Sequence, residues 1–74
     1  MKNDNPITRD DNGYQVHLEA AEPGWRVEIR DAAGVPVFER RCRHEAEART
    51  YASTVRQHIY WLSGPRFRSY YGLK

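Results

Sequence analysis

Tyr14-Gln15-Val16-His17-Leu18-Glu19-Ala20, then Glu22-Pro23-Gly24, then Trp25-Arg26-Val27-Glu28-Ile29-Arg30: the reading of this stretch decides the fold. Tyr14, Val16, Leu18 and Ala20 alternate with Gln15, His17 and Glu19, and Trp25, Val27 and Ile29 alternate with Arg26, Glu28 and Arg30. A period of two is that of a strand with one buried face. Between the two runs, Pro23 and Gly24 suit the central positions of a type II turn, because proline presets the first backbone angle and glycine accepts the positive φ of the second. Two strands near 14 to 20 and 25 to 31 therefore form an antiparallel hairpin.

Asp31-Ala32-Ala33-Gly34 is the next turn, and Val35 to Cys42 reads as a third strand. Pro36 lacks a ladder donor, and Val37-Phe38 sets apolar residues on both faces, which is the signature of an edge strand. From Glu45 the period changes. Ala48, Ala52, Val55, Ile59 and Leu62 recur at steps of four and three, the stripe of an amphipathic helix near 45 to 62. Glu45 and Glu47 favour its N-terminal dipole, Glu45 can pair with Arg49 one turn on, and Ser63-Gly64-Pro65 supplies the stop. The expectation is an α+β domain of order βββα: a three-stranded antiparallel sheet packed against one C-terminal amphipathic helix. Burying Val55, Ile59 and Leu62 would contribute roughly 1.5 to 3 kcal/mol each.

Around this core the chain divides into residues 1 to 12, a polar stretch read as a flexible N-terminal arm; 13 to 64, the βββα domain; and 65 to 74, a tail in which Phe67, Tyr70 and Tyr71 alternate with Arg66, Arg68 and Lys74. Seventy-four residues limit the chain to one small domain that buries about 60% of its unfolded surface. The single cysteine, Cys42, allows no internal disulfide and favours a reducing compartment. Met1 to Asn12 carries Asp4, Asp10 and Asp11 where a secretory leader would be apolar, and no stretch approaches the ~20 apolar residues of a membrane span. A cytoplasmic location without membrane attachment is expected.

Residue types able to do chemistry are sparse. Cys42 and His44 stand two apart and would point the same way on a strand, as a thiolate and its base do. So small a domain, however, offers little to exclude water or hold an oxyanion. Cys42, His44 and His58 give at most three metal ligands without the repeated spacing of a site. No catalytic residue, metal, cofactor or small-molecule substrate is assigned.

Charge is more informative. Met1 to Glu39 holds four basic and eight acidic residues, a net of −4, whereas Arg40 to Lys74 holds eight basic residues against Glu45 and Glu47, a net of +6. Ten of the twelve basic residues are arginine, whose planar fork grips phosphate and stacks on rings. Three groupings carry this charge: Arg40, Arg41 and Arg43 ending the third strand; Arg49, Ser53, Arg56 and Tyr60 on the helix face opposite the apolar stripe; and the Arg-aromatic tail. Arginines that follow a backbone, with rings on which bases stack, are the chemistry of nucleic-acid binding. Each grouping also has a structural explanation. Arg40 on an outer sheet face would pair with Glu19 or Glu28, Arg49 and Arg56 would form a solvated helix face, and the tail aromatics would fold back over Trp61 or the sheet to enlarge the core.

The stretch from Gly24 to Ala52 resembles two families. Gly24-Trp25 opening a strand, Asp31-Ala32-Ala33-Gly34 making a turn and Glu45-Ala46 opening a helix resemble the AP2-like or arm-type DNA-binding domain of tyrosine recombinases. In that family the sheet enters a DNA major groove, which implies contacts from Arg26, Arg30 and Arg40. The sequence departs from the pattern at Cys42, where an aromatic usually precedes the helix, and at Glu28, in the middle of the reading face. The strand, turn, strand and helix order from Trp25 to Ile59 is also similar to the YegP-like small bacterial proteins, which imply no activity.

The functional expectation is a noncatalytic binding module for an anionic polymer, most directly nucleic acid. Arg40, Arg41, Arg43, Arg49 and Arg56 would hold phosphates, with Arg66 and Arg68 beside them in the tail, and Phe67, Tyr70 and Tyr71 would stack if the tail is free. The rival expectation is a protein-interaction module or a homodimer, built on the edge strand with Val37 and Phe38 and on the nine aromatic residues.

Overall fold

The computed structural model describes residues 11–73. Its element order is β1 (Gln15–Ala20), β2 (Trp25–Arg30), β3 (Pro36–Cys42), α1 (Glu45–Trp61) and α2 (Gly64–Tyr71). The three strands form one antiparallel sheet in the order β1-β2-β3. The α+β class and the three strands stand as expected; the second helix is an addition.

Register explains which side chains meet the helices. Val16 and Phe38 flank Ile29, Leu18 and Arg40 flank Val27, and Ala20 and Cys42 flank Trp25, so these nine residues share the inner face. Val27 and Ile29, on the central strand, are fully buried. Val27 meets Cys42, Ala48 and Ala52, while Ile29 meets Val55, Ile59 and Phe67. The expected helical stripe is thus the packed one, except that Leu62, the C-cap residue, is only half-buried.

Both turns fall where expected. In the first, residues 21–24, Ala21 N–H donates to the Gly24 carbonyl (2.9 Å), the Glu22–Pro23 peptide is cis, and Gly24 takes the positive φ expected of it, +83°. At the second, Asp31 Oδ1 accepts from the N–H groups of Ala33 (2.9 Å) and Val35 (3.0 Å), the aspartate-built turn that places a side-chain acceptor under backbone donors. The register then shifts: Arg30 pairs with Pro36 and Ile29 with Phe38, leaving Val37 as an extra residue. That bulge accounts for the Val37-Phe38 run, which would otherwise put apolar side chains on both faces.

Most of the stretch read as a tail, residues 65 to 74, is helical, within α2. Ser63 Oγ accepts the Arg66 N–H (3.3 Å), Pro65 sits in the first turn, and Gly72 closes α2 at φ +70°. These are ordinary helix-start and helix-stop chemistries. Phe67 is fully buried and stacks on Tyr14, with centroids 4.8 Å apart. The expected arm over 1 to 12 lies outside the described residues except for Asp11 and Asn12. Asn12 is held at the end of α1, its N–H donating to the Ile59 carbonyl (3.2 Å) and its Nδ2 to the Leu62 carbonyl (3.0 Å).

Candidate nucleic-acid interface

Two opposed surfaces carry the charge. On the outer sheet face, register aligns Glu19, Arg26 and Arg41 in one row and His17, Glu28 and Glu39 in the next. Arg26 pairs with Glu19 and reaches Glu28 (3.9 Å), Arg30 pairs with Glu28 (2.8 Å), and Arg41 lies 3.9 Å from Glu39. Each cation on this face has a carboxylate neighbour, so it projects little positive potential. Arg26–Glu19 crosses between strands, the other three pairs join residues two apart on one strand, and each half-exposed pair contributes up to ~1 kcal/mol.

The grouping Arg40, Arg41 and Arg43 is dispersed. Arg40 does not lie on the outer sheet face with Glu19 and Glu28. It sits opposite Val27 on the inner face, at the sheet edge, with its guanidinium 4.7 Å from the Tyr51 ring centroid. This cation–π contact needs the strand parity that the bulge at Val37 sets. Arg26 and Arg30 point one way and Arg40 the other, so the three positions implied by the arm-type likeness do not share a face. Arg41 and Arg43 border an open depression of about 560 Å³ with Pro23, Gly24 and the buried Cys42. Cys42 packs among Val27, Ala48 and Ala52 as a small hydrophobe, while His44 is exposed at the start of α1. Among the described residues no three His, Cys, Asp or Glu side chains are arranged to hold a metal, and no helix is long and apolar enough to cross a membrane.

The helical layer differs. From Ala48 to Lys74 the chain has Arg49, Arg56, Arg66, Arg68 and Lys74 and no Asp or Glu. Arg49 is held by Glu45 (2.7 Å), one turn earlier, and Arg68 lies 3.5 Å from the Tyr14 hydroxyl. The guanidinium groups of Arg40, Arg43, Arg56 and Arg66 have no carboxylate partner among the described residues, although the Arg43 backbone N–H donates to the Glu47 carboxylate (3.2 Å). Arg56 and Tyr60 lie on the flank of α1 toward Tyr14 and Val16. The opposite flank carries Tyr51 and His58, against which the tail packs: His58 Nδ1 is 2.6 Å from the Tyr71 hydroxyl, and its ring is 4.6 Å from that of Tyr70. Burial pushes the Tyr71 hydroxyl up to about 12, with Tyr51 and Tyr70 adding to the effect, and burial raises Tyr51 against the opposing pull of Arg40.

Of the three tail aromatics, Phe67 is removed from the candidate site because its ring has no exposed area, and Tyr71 is half-buried against Phe38. Tyr70 remains open at 64% exposure. Of the two places expected for the tail rings, over Trp61 or over the sheet, it is the sheet side that Phe67 and Tyr71 cover; Trp61 is the most exposed large ring among the described residues at 73%, and Tyr60 is exposed at 55%. The signal for Trp61 was in its spacing: two residues past Ile59 is 200° around a helix, the side away from the apolar stripe. Comparison with models of known families, with curated proteins and with solved structures finds no match.

Proposed function

We propose that this chain is a small noncatalytic module that binds an anionic polymer, most directly nucleic acid, through its helical layer. One observation carries the proposal: the segment from Ala48 onward holds five basic residues and no Asp or Glu, while the outer sheet face pairs its own cations with carboxylates. Clustered, unpaired guanidiniums release counterions from a polyphosphate and attract it at long range. Arg56 and Arg66 are the leading phosphate ligands, since neither has a carboxylate partner among the described residues, with Arg49 and Arg68 in support. Sequence-specific reading is not implied, because phosphate contacts carry no sequence information. The unpaired Cys42 thiol fits a reducing, cytoplasmic setting for this role.

A protein-interaction role is the rival, favoured by the exposed Val35 (51%) and Val37 (38%) beside the β3 edge. Pro36 and the charged run Glu39-Arg40-Arg41 work against edge-to-edge pairing, since both are devices that block strand addition. Titration of the full chain with a mixed-sequence oligonucleotide at two salt concentrations separates the two roles. Affinity that falls steeply with salt and is lost in the double variant Arg56→Glu plus Arg66→Glu supports the proposal. No binding at low salt overturns it and leaves the protein-interaction role.

A further inference from the structure

Resting on that proposal, we infer that the polymer taken is single-stranded nucleic acid, with bases stacked on a ring platform that joins the ends of the two helices. The platform can be followed residue by residue. Arg66 and Tyr70 are four apart on α2 and so share one side of it. Tyr70 packs on the His58 ring at 4.6 Å. His58 and Trp61 are three apart on α1, and Tyr60 stands four residues after Arg56 on the neighbouring side of the same helix end. Exposed rings therefore stand on two adjoining sides of this end, each side with a guanidinium that has no carboxylate partner among the described residues, which suits a single strand that sets phosphates on the cations and bases on the rings.

Exposure points the same way. Tyr60, Trp61 and Tyr70 stay open in a domain whose buried core, among the described residues, holds eight side chains and would gain from covering them. A duplex hides its base faces and could use only the arginines, and a protein partner would not require the flanking cations to be unpaired. Stacking is tolerant of base identity, so the site should accept any sequence, as DNA or RNA.

The test titrates the full chain, at low and moderate salt, with a fifteen-nucleotide thymidine strand, a fifteen-nucleotide uridine strand, a fifteen-base-pair duplex and inorganic polyphosphate, and follows tryptophan fluorescence with polarisation. Single strands should bind at least ten-fold more tightly than the duplex and quench Trp61. Trp61→Ala should weaken single-strand binding about five-fold or more while polyphosphate affinity moves less than two-fold. Trp61 is exposed, so the variant keeps its fold, and far-ultraviolet circular dichroism checks that. Equal affinity for strand, duplex and polyphosphate, or an unchanged Trp61→Ala, overturns the stacking platform and leaves the anionic-polymer module standing. No binding to any of the four overturns both.

Discussion

The rings of Tyr14 and Phe67 stack with centroids 4.8 Å apart and planes 29° from parallel, joining the residue just before the first strand to the second helix. Phe67 also meets Ile29, Val55 and Ile59, so a ring from the tail completes the half of the core that the sheet and α1 leave open. Phe67→Ala should cost about 3 to 5 kcal/mol. A domain of this length has only about 4 to 11 kcal/mol of stability in total. The variant should therefore be marginal or unfolded in a urea melt, and Tyr70→Ala, at an exposed site, should shift the midpoint little. Similar melts for the two variants would contradict this account of the tail.

Gly24 and Gly34 both hold positive φ, +83° and +85°, but their surroundings differ. A Cβ on Gly24 would stand 2.4 Å from the Cys42 carbonyl oxygen, whereas one on Gly34 meets nothing within 4 Å. Gly34→Ala should cost about 1 to 2 kcal/mol from the backbone alone. Gly24→Ala adds a clash with β3 and should cost about 1 to 3 kcal/mol more. Thermal melts should rank wild type above Gly34→Ala and that above Gly24→Ala; equal losses would show that the close approach to Cys42 is unimportant.

The hairpin and α1 were legible because their apolar residues keep one period over whole elements, from Tyr14 to Ile29 and from Ala48 to Leu62. The second helix was not. Ser63-Gly64-Pro65 reads as a stop for α1, yet the same residues start α2, with Ser63 as cap and Pro65 in a turn that needs no donor. Phe67 and Tyr71 mark its inner side, but with Arg66 and Arg68 on either side of Phe67 and Tyr70 beside Tyr71 two positions are too few to show a period. The face of Arg40 was illegible for another reason. A bulge inverts parity, and nothing in Val35 to Cys42 announces that Val37 is the extra residue. Asn12 belongs to a stretch with almost no apolar content, and the hydrogen bonds that hold it leave no periodic signal in the sequence.

Tyr71 makes the stability depend on alkaline pH. A tyrosine in the unfolded chain ionises near 10, and in the fold burial pushes Tyr71 up to about 12. Between those values the unfolded chain releases a proton that the folded chain retains. The contribution is therefore fully present below pH 10 and is lost as pH rises toward 12. Urea midpoints should fall across that window, and Tyr71→Phe should flatten the fall. Tyr51, shifted in the same direction, should leave a residual slope. A slope unchanged in Tyr71→Phe would mean that this hydroxyl is not the responsible group.

Arg30 and Arg56 distinguish the two surfaces as the binding face. Arg30 is held by Glu28 at 2.8 Å on the outer sheet face, so removing it exposes one carboxylate and alters the local potential little. Arg56 has no carboxylate partner among the described residues and stands one turn from the exposed Tyr60. On a single strand, each phosphate contact contributes about 0.7 to the slope of log affinity against log salt. Arg56→Ala should therefore lower that slope by about 0.7 and weaken binding at low salt, while Arg30→Ala should leave both unchanged within two-fold. The opposite ranking would move the binding face to the sheet, as the arm-type likeness implies, with Arg26 and Arg30 on the contacting side and Arg40 turned away from it.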